Sequence, residues 1–317
     1  MPKLRDYGEK KLLESVVYPF LESPEFKNED AVILSLGGEF LVMNIDTFVE
    51  STDKPRGMSY YDVGWRSVVM SASDVITKGA LPRGVIVSIT APGSLDVKSF
   101  EDIIKGIRNA CNFLNCGYYG GDLGDGAELV ISVACFGLAR KTIRRSGAKV
   151  GDSVWVTDHF GNSGLALHYL LSNGSPIESI DVVVQEFLRP KIESKYALAL
   201  QKVATASMDS SDGLAVTLND LASASGVAIE LDHVPIYSHV ISYANVNNLD
   251  PLDLALYAGE EFIIVFTSDR SDEEVLKVFK ELKLREPIKV GRVTEGSGVF
   301  LGGRKIPRKG WEHFSKM

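Results

Sequence analysis

The sequence predicts an α+β protein of two domains: a mixed α/β domain over residues 1–143, then an α+β domain over 144–317 whose mixed sheet is covered by helices. Strand-like apolar runs alternate with helical apolar spacing along the whole chain. A polar, glycine-bearing stretch, RRSGAKVGD at residues 144–152, interrupts that alternation. With 317 residues, 45% of them hydrophobic, the chain carries enough apolar material for two cores rather than one.

Each element has its own signal. Apolar spacing over 6–21 predicts an opening helix. AVILSL and EFLVMNIDTFV read as two strands of a hairpin turning at Gly37-Gly38. Helical spacing covers 60–78 and 97–114, with strands at 84–90 and 129–139. Beyond the boundary, VWVT is a short strand and GNSGLALHYLL starts a helix. Residues 190–204 read as helix, SMDSSDGL as a strand-to-helix junction, and YAGEEFIIVFT as a loop running into a strand. A helix at 272–282 and short strands near 286–301 close the pattern.

Composition narrows the function classes. The net charge is −8, and no segment gathers the basic and aromatic residues of a nucleic-acid surface. No apolar run reaches the roughly 18 residues of a membrane span, and MPKLRDYGEK lacks a signal-peptide core, so a soluble, cytoplasmic protein without membrane partners is expected. Cys111, Cys116 and Cys135 show neither a C-x-x-C pair nor zinc spacing, and read as reduced, mostly buried thiols. An acidic protein still binds phosphates where divalent cations supply local positive charge.

The chemistry-bearing signal is a set of aspartates at element ends beside glycine or serine: Asp30, Asp46, Asp74, Asp122, Asp209 and Asp212. Singly, each has a plain structural reading, such as a helix cap at Asp212, a glycine turn at Asp122 or an ion pair from Asp74 to Lys78. The hairpin links two of them. Cross-strand partners around Gly37-Gly38 have numbers summing to 75, so Asp30 faces Ile45 beside Asp46, and Asn44 shares a strand face with Asp46. If the aspartates converge, unit charges about 4 Å apart repel by roughly 4 kcal/mol at an effective dielectric of 20, and the pocket needs cations or protons. Oxygen donors favour magnesium, calcium or manganese over zinc.

In order and wording, NEDAVIL, NIDTFVES, SASDVITKGALP, YGGDLGDG, RRSGAKVGD, GNSGLAL, SMDSSDGL, YAGEEFIIVFT and KGWEHF resemble the motifs of the thiamine-monophosphate kinase family, within the aminoimidazole-ribonucleotide-synthetase-like superfamily. The resemblance runs from Asn28 to Phe314. It implies direct, in-line transfer of the γ-phosphate of ATP to thiamine monophosphate, and a homodimer whose N-terminal sheets pair into a shared β-barrel. By the same resemblance several magnesium ions are held by Asp30, Asp46, Asp74, Asp122, Asp209 and Asp212, with Asp46, Asp74, Asp122 and Asp209 at the chemistry. ATP contacts fall on Gly121, Asp122, Arg145 and Ser211, and thiamine-phosphate contacts on Glu260 and Trp311. Arg145 suits phosphate as an always-charged planar fork, and the Trp311 face suits a flat cationic heterocycle.

The chain departs from the family wording at Asn44-Ile45, at Asp53 where the family carries a histidine, and at Leu123-Gly124-Asp125. Two other readings therefore stay open. One is an ATP-dependent enzyme acting on another small phosphate or on a carbonyl or amide substrate, and the other is a non-catalytic nucleotide-binding dimer. Walker A, protein-kinase H-R-D and G-x-S-x-G patterns are absent from the sequence.

Overall fold

The computed structural model describes residues 3–21, 29–172, 174–311 and 314. Asn28 of the first motif, residues 312–313 of KGWEHF and the terminal residues 315–317 lie outside the described residues. None of the described helices is long and apolar enough to cross a membrane.

The opening segment is helical but broken: a 3-10 turn at Leu4–Asp6, α1 at Glu9–Leu12, a π turn at Leu13–Val17 and a 3-10 turn at Tyr18–Phe20. The hairpin follows, β1 at Val32–Leu36 and β2 at Glu39–Val49, with Leu36 opposite Glu39 and Val32 opposite Met43. Every pair sums to 75, as the Gly37-Gly38 turn requires, and both glycines have positive φ (58° and 94°). Next come α2 (Glu50–Asp53), α3 (Tyr60–Thr77), β3 (Leu81–Ala91), α4 (Val97–Leu114), β4 (Gly117–Asp125) and β5 (Val130–Ala139). These strands form one sheet in the order β1-β2-β5-β3-β4, antiparallel except for β3 with β4. Ser59 starts α3 with a capping box to Asp62, and Asp96 caps α4.

Strand β4 is a departure from the sequence reading, which placed a glycine turn at YGGDLGDG. Its glycines have little intrinsic strand preference, but pairing with β3 holds them extended around a bulge at Tyr119 and Gly120. A Cβ on Gly121 would meet the Val87 carbonyl oxygen at 1.7 Å, so only glycine lets the strands approach this closely.

The second half contributes β6 (Ser153–Val156), α5 (Asn162–Ser172), α6 (Ile180–Leu188), α7 (Tyr196–Val203), β7 (Ala206–Asp209), α8 (Leu214–Ser225), β8 (Ala228–Leu231), α9 (Ser238–Asn247), α10 (Pro251–Leu256), β9 (Ile264–Ser268), α11 (Asp272–Glu281), β10 (Ile288–Thr294), β11 (Gly298–Leu301) and β12 (Arg304–Ile306). Its seven-stranded mixed sheet runs β12-β11-β8-β10-β6-β9-β7. Trp155 and Phe266 on one face pack with Leu200 and Phe279, while Val154, Val156 and Val265 on the other meet Leu214 and Leu218 of α8.

The expected helix at 190–204 is shorter, because residues 190–193 form an irregular connection and 194–195 a turn before α7 begins at Tyr196. Two large apolar clusters form among the described residues, one confined to the second half around Val154, Val156, Leu214, Leu218 and Val265, the other shared by both halves. The sheets part between Ala139 and Ser153, yet one apolar cluster runs from Val42 and Phe48 through α3 to Leu200, Phe262 and Phe279. Helix α3 is the shared wall, with Val68, Val69, Ala72, Val75 and Ile76 fully buried.

Candidate active site

Four of the six aspartates meet where β2, α3 and β7 come together. Asp46 projects from the inner face of β2, Asp74 from α3, Asp209 from the end of β7, and Asp30 from the residues entering β1. The Asn44 amide nitrogen donates to Asp46 Oδ2 at 2.6 Å and to Asp74 Oδ2 at 2.5 Å. Ser73 Oγ donates to Asp209 Oδ2, while Asp209 Oδ1 is buried with no hydrogen-bond partner. Among the described residues, no three acidic, histidine or cysteine groups already stand at metal-binding spacing. With Asn44 turned by half a rotation about χ2, its oxygen would face the two carboxylates' shared space in place of its nitrogen.

The charges of the cluster are not independent. Burial, and then Asp209, Asp46 and Asp30, push Asp74 well above the usual carboxylate range. Burial raises Asp209 to about 7, with Asp30 adding to it, and raises Asp46 to about 6 against the opposing Asn44 hydrogen bond. Asp30 moves the other way: burial pushes it up, but Arg145 and Lys78 outweigh that and hold it well below the ordinary value. Arg145 Nε donates to Asp30 at 2.7 Å, and Lys78 Nζ lies 2.5 Å from Asp30 and 3.3 Å from Glu29. A pocket that stacks carboxylates beyond its own cations binds further positive charge or keeps protons.

Arg145 also forms the wall of a neighbouring cavity of about 480 Å³ with Asp212, Asp220, Arg308, Trp311 and α1 residues. Burial, with Glu9 nearby, raises Asp212 to about 6. The Trp311 N–H donates to the Asp212 carbonyl at 3.3 Å, and its side chain is half-exposed. Ser211 sits on the turn between β7 and α8, where its carbonyl accepts the Glu260 N–H at 2.6 Å.

Glu260 and Trp311, both implied as substrate contacts, line different cavities. Glu260 borders a cavity of about 280 Å³ with Glu261, His159, Arg189, Tyr237 and Arg285. Its φ is +69° and that of Phe262 is +53°, a conformation that costs a side-chain-bearing residue energy and is held here by the contacts to Ser210 and Ser211. The Glu260 carboxylate is bound by Arg66, which is buried and also donates to the Phe187 carbonyl at 2.7 Å.

Gly121 and Asp122 stand apart. Asp122 is exposed and in register with Ser88, Ser132 and Thr47 across the sheet, three strand spacings or about 14 Å from β2. Thr47 and Asp46 point to opposite faces, so Asp122 lies on the outer face of the sheet and the other carboxylates on the inner one.

Sequence reasoning passed over several residues of this site. Lys78, which the spacing pairs with Asp74, is fully buried, donates to the Ser207 carbonyl at 3.1 Å and pairs with Glu29 and Asp30. Ser73 and Glu261 lie within SASDVITKGALP and YAGEEFIIVFT without a role of their own being read there, and Arg66 lies outside every motif. The available hint was position: Arg66, Ser73 and Lys78 lie on a helix whose apolar residues continue around most of its circumference, so polar side chains among them had to be buried and partnered.

Comparison with known proteins identifies the family of the chain. Residues 28–139 match the family model of the AIR synthase related protein, N-terminal domain, and residues 149–303 that of the C-terminal domain. A thiamine-monophosphate kinase of Aquifex aeolicus is 32% identical over 315 residues, covering 98% of this chain and 100% of that one. One of Nitrosopumilus maritimus is 33% identical over 294 residues, covering 90% and 93%. A solved structure, AaThiL complexed with AMPPCP and TMP, superposes with a TM-score of 0.90 at 32% identity, covering 99% of each chain.

Proposed function

The chain belongs to the thiamine-monophosphate kinase family, and on that premise we propose that it transfers the γ-phosphate of ATP to thiamine monophosphate, giving thiamine diphosphate. The convergence of Asp30, Asp46, Asp74 and Asp209 beside Arg145 carries this reading. A relative of 32% identity that binds AMPPCP, an ATP analogue, together with TMP supports both substrates.

Phosphoryl transfer asks for little covalent help: charge is neutralised, donor and acceptor are held in line, and water is kept out. The oxygen donors of Asp46, Asp74 and Asp209 suit magnesium, and the unpartnered Asp209 Oδ1 fits that use. Bound there, magnesium would neutralise phosphate oxygens. Arg145 offers its remaining N–H groups toward the cavity it shares with Asp212 and Trp311, a location suited to a triphosphate. Ser73 and Asn44 orient the carboxylates, and Lys78 keeps Asp30 ionised. Arg66 fixes Glu260 at the opposite side, where its carboxylate favours a cationic acceptor.

A homodimer is part of this proposal. The outer face of the first sheet exposes Leu34, Leu36, Ile45, Ile86 and Tyr119, which suits a second sheet of the same kind and a shared barrel. Asp122 lies on that face, so any part it plays in nucleotide binding is one the paired molecule would complete. The assay is direct: purified protein with ATP, magnesium and thiamine monophosphate, with products separated by chromatography. Thiamine diphosphate and ADP in equal amounts are expected. Turnover of a different acceptor with no thiamine diphosphate would end the substrate assignment.

A further inference from the structure

Helix α4 ends in a backbone arrangement with a chemical consequence. Asn115 adopts the left-handed conformation (φ 55°), the Cys116 N–H donates to the Cys111 carbonyl at 2.9 Å, and the Asn115 N–H donates to the Asn112 carbonyl at 3.1 Å. This pair of bonds is a Schellman motif, in which the residue after the left-handed one packs its side chain on the residue five before it. That contact is usually between two apolar side chains. Here both members are cysteines.

The two thiols differ in their surroundings. Cys111 is buried, 2% exposed, while Cys116 is half-buried and opens on a surface cavity lined by Arg83, Asn112, Asn115, Gly117 and Tyr119. The Cys111 thiol lowers its neighbour by hydrogen bonding to Cys116 against the burial that would raise it, and Cys111 itself is raised by the same pairing and by burial. The Arg83 guanidinium borders the same cavity and favours an anion there. Cys135, the third cysteine, is 1% exposed in β5.

We infer that Cys116 and Cys111 form a redox-active dithiol, a thiol modification site at the α4–β4 junction that a hydroperoxide converts to a disulfide. The Cys116 thiolate attacks one peroxide oxygen; the O–O bond breaks, a sulfenic acid forms and hydroxide leaves. The Cys111 sulfur then attacks the Cys116 sulfur; the S–S bond forms, the S–O bond breaks, and the Cys111 proton leaves with that oxygen as water. Two thiols are oxidised by two electrons and one hydrogen peroxide is reduced to two waters.

The test treats the native full-length protein with hydrogen peroxide, blocks remaining thiols with iodoacetamide and maps the products by mass spectrometry. The expected product lacks two hydrogens, links Cys111 to Cys116 and reverts with dithiothreitol. Without oxidant, iodoacetamide should modify Cys116 at least about tenfold faster than Cys111 or Cys135. Cys111→Ser should leave a Cys116 sulfenic acid that dimedone traps, and Cys116→Ser should give neither product, each variant checked for native circular dichroism. Dimedone adduct on Cys135, equal alkylation of all three thiols, or sulfonic acid in place of the linked peptide would each overturn the inference.

Discussion

The inner face of the five-stranded sheet buries Val42, Phe48, Val85, Val87 and Ile131 but turns polar at one end, whereas its outer face leaves large apolar side chains exposed. Along β2, Asn44 and Asp46 point inward to α3 and β7, whereas Ile45, 64% exposed, points outward. A solvated sheet ordinarily buries its apolar alternates and exposes the polar ones. Here the inner face becomes polar at the end where the aspartates gather, and the outer face exposes Leu34, Leu36, Ile45, Ile86 and Tyr119 beside the polar row Thr47, Ser132, Ser88 and Asp122. On the reading proposed above, each face would be completed from outside this chain's own core, the inner one by phosphate-bound cations and the outer one by another sheet.

The comparison breaks most visibly on the inner face. Asp209→Ala should lower turnover by at least about 10³-fold, because it removes a buried oxygen donor from the charge-neutralising set. The fold should persist, and steady-state ADP release with a thermal melt checks both; retained activity would separate the aspartate cluster from catalysis. Lys78→Met leaves Asp30 and Glu29 buried without their shared ammonium, and should destabilise the protein by about 3–5 kcal/mol in urea unfolding. An unchanged midpoint would mean that Arg145 alone satisfies Asp30.

The outer face is probed by Ile86→Glu, which places a charge among the exposed apolar residues. It should weaken self-association by about ten- to a hundredfold, read as a shift toward monomer in light scattering across a dilution series, with the melt little changed. An unaltered dimer would move the interface elsewhere. The smallest effect concerns the second cavity. Burial raises Glu261 to about 7 from an unfolded value near 4.5, although the Gly161 and Ser163 N–H groups donate to it. The folded state therefore holds a proton that the unfolded state has lost between those pH values, so stability from this group is complete below about 4.5 and falls as pH rises to about 7. Glu261→Gln should flatten part of that slope in melts taken across this range; an identical slope would show that Glu261 is ionised in the fold throughout.

Much of the fold was legible because hydrophobic spacing and turn chemistry are local. The helical spacing of Val97, Phe100, Ile103, Ile104, Ile107 and Phe113 marks α4 over the same residues the structure gives it, and Gly37-Gly38 fixes the hairpin register. Strand β4 escaped because glycines carry no side-chain pattern, and only pairing with β3 makes them a strand. For the site, the spacing brought Asp30 next to Asp46, but the approach of Asp74 and Asp209 depends on α3 lying across both sheets, which no local pattern encodes. Family resemblance supplied that link. Lys78 and Arg66 were illegible for a related reason: the sequence marks a charge, while burial and partners belong to the tertiary fold.

One rod holds the whole arrangement. Arg66 near the beginning of α3 grips Glu260, Ser73 and Asp74 face the carboxylates, and Lys78 at its end grips Asp30. A single residue inserted between Arg66 and Ser73 would turn one end against the other by about 100° and lift it 1.5 Å, misaligning every later anchor at once. Natural length variation in such chains should therefore collect in the connections flanking this helix, with its own eighteen positions conserved in number even where their identities drift.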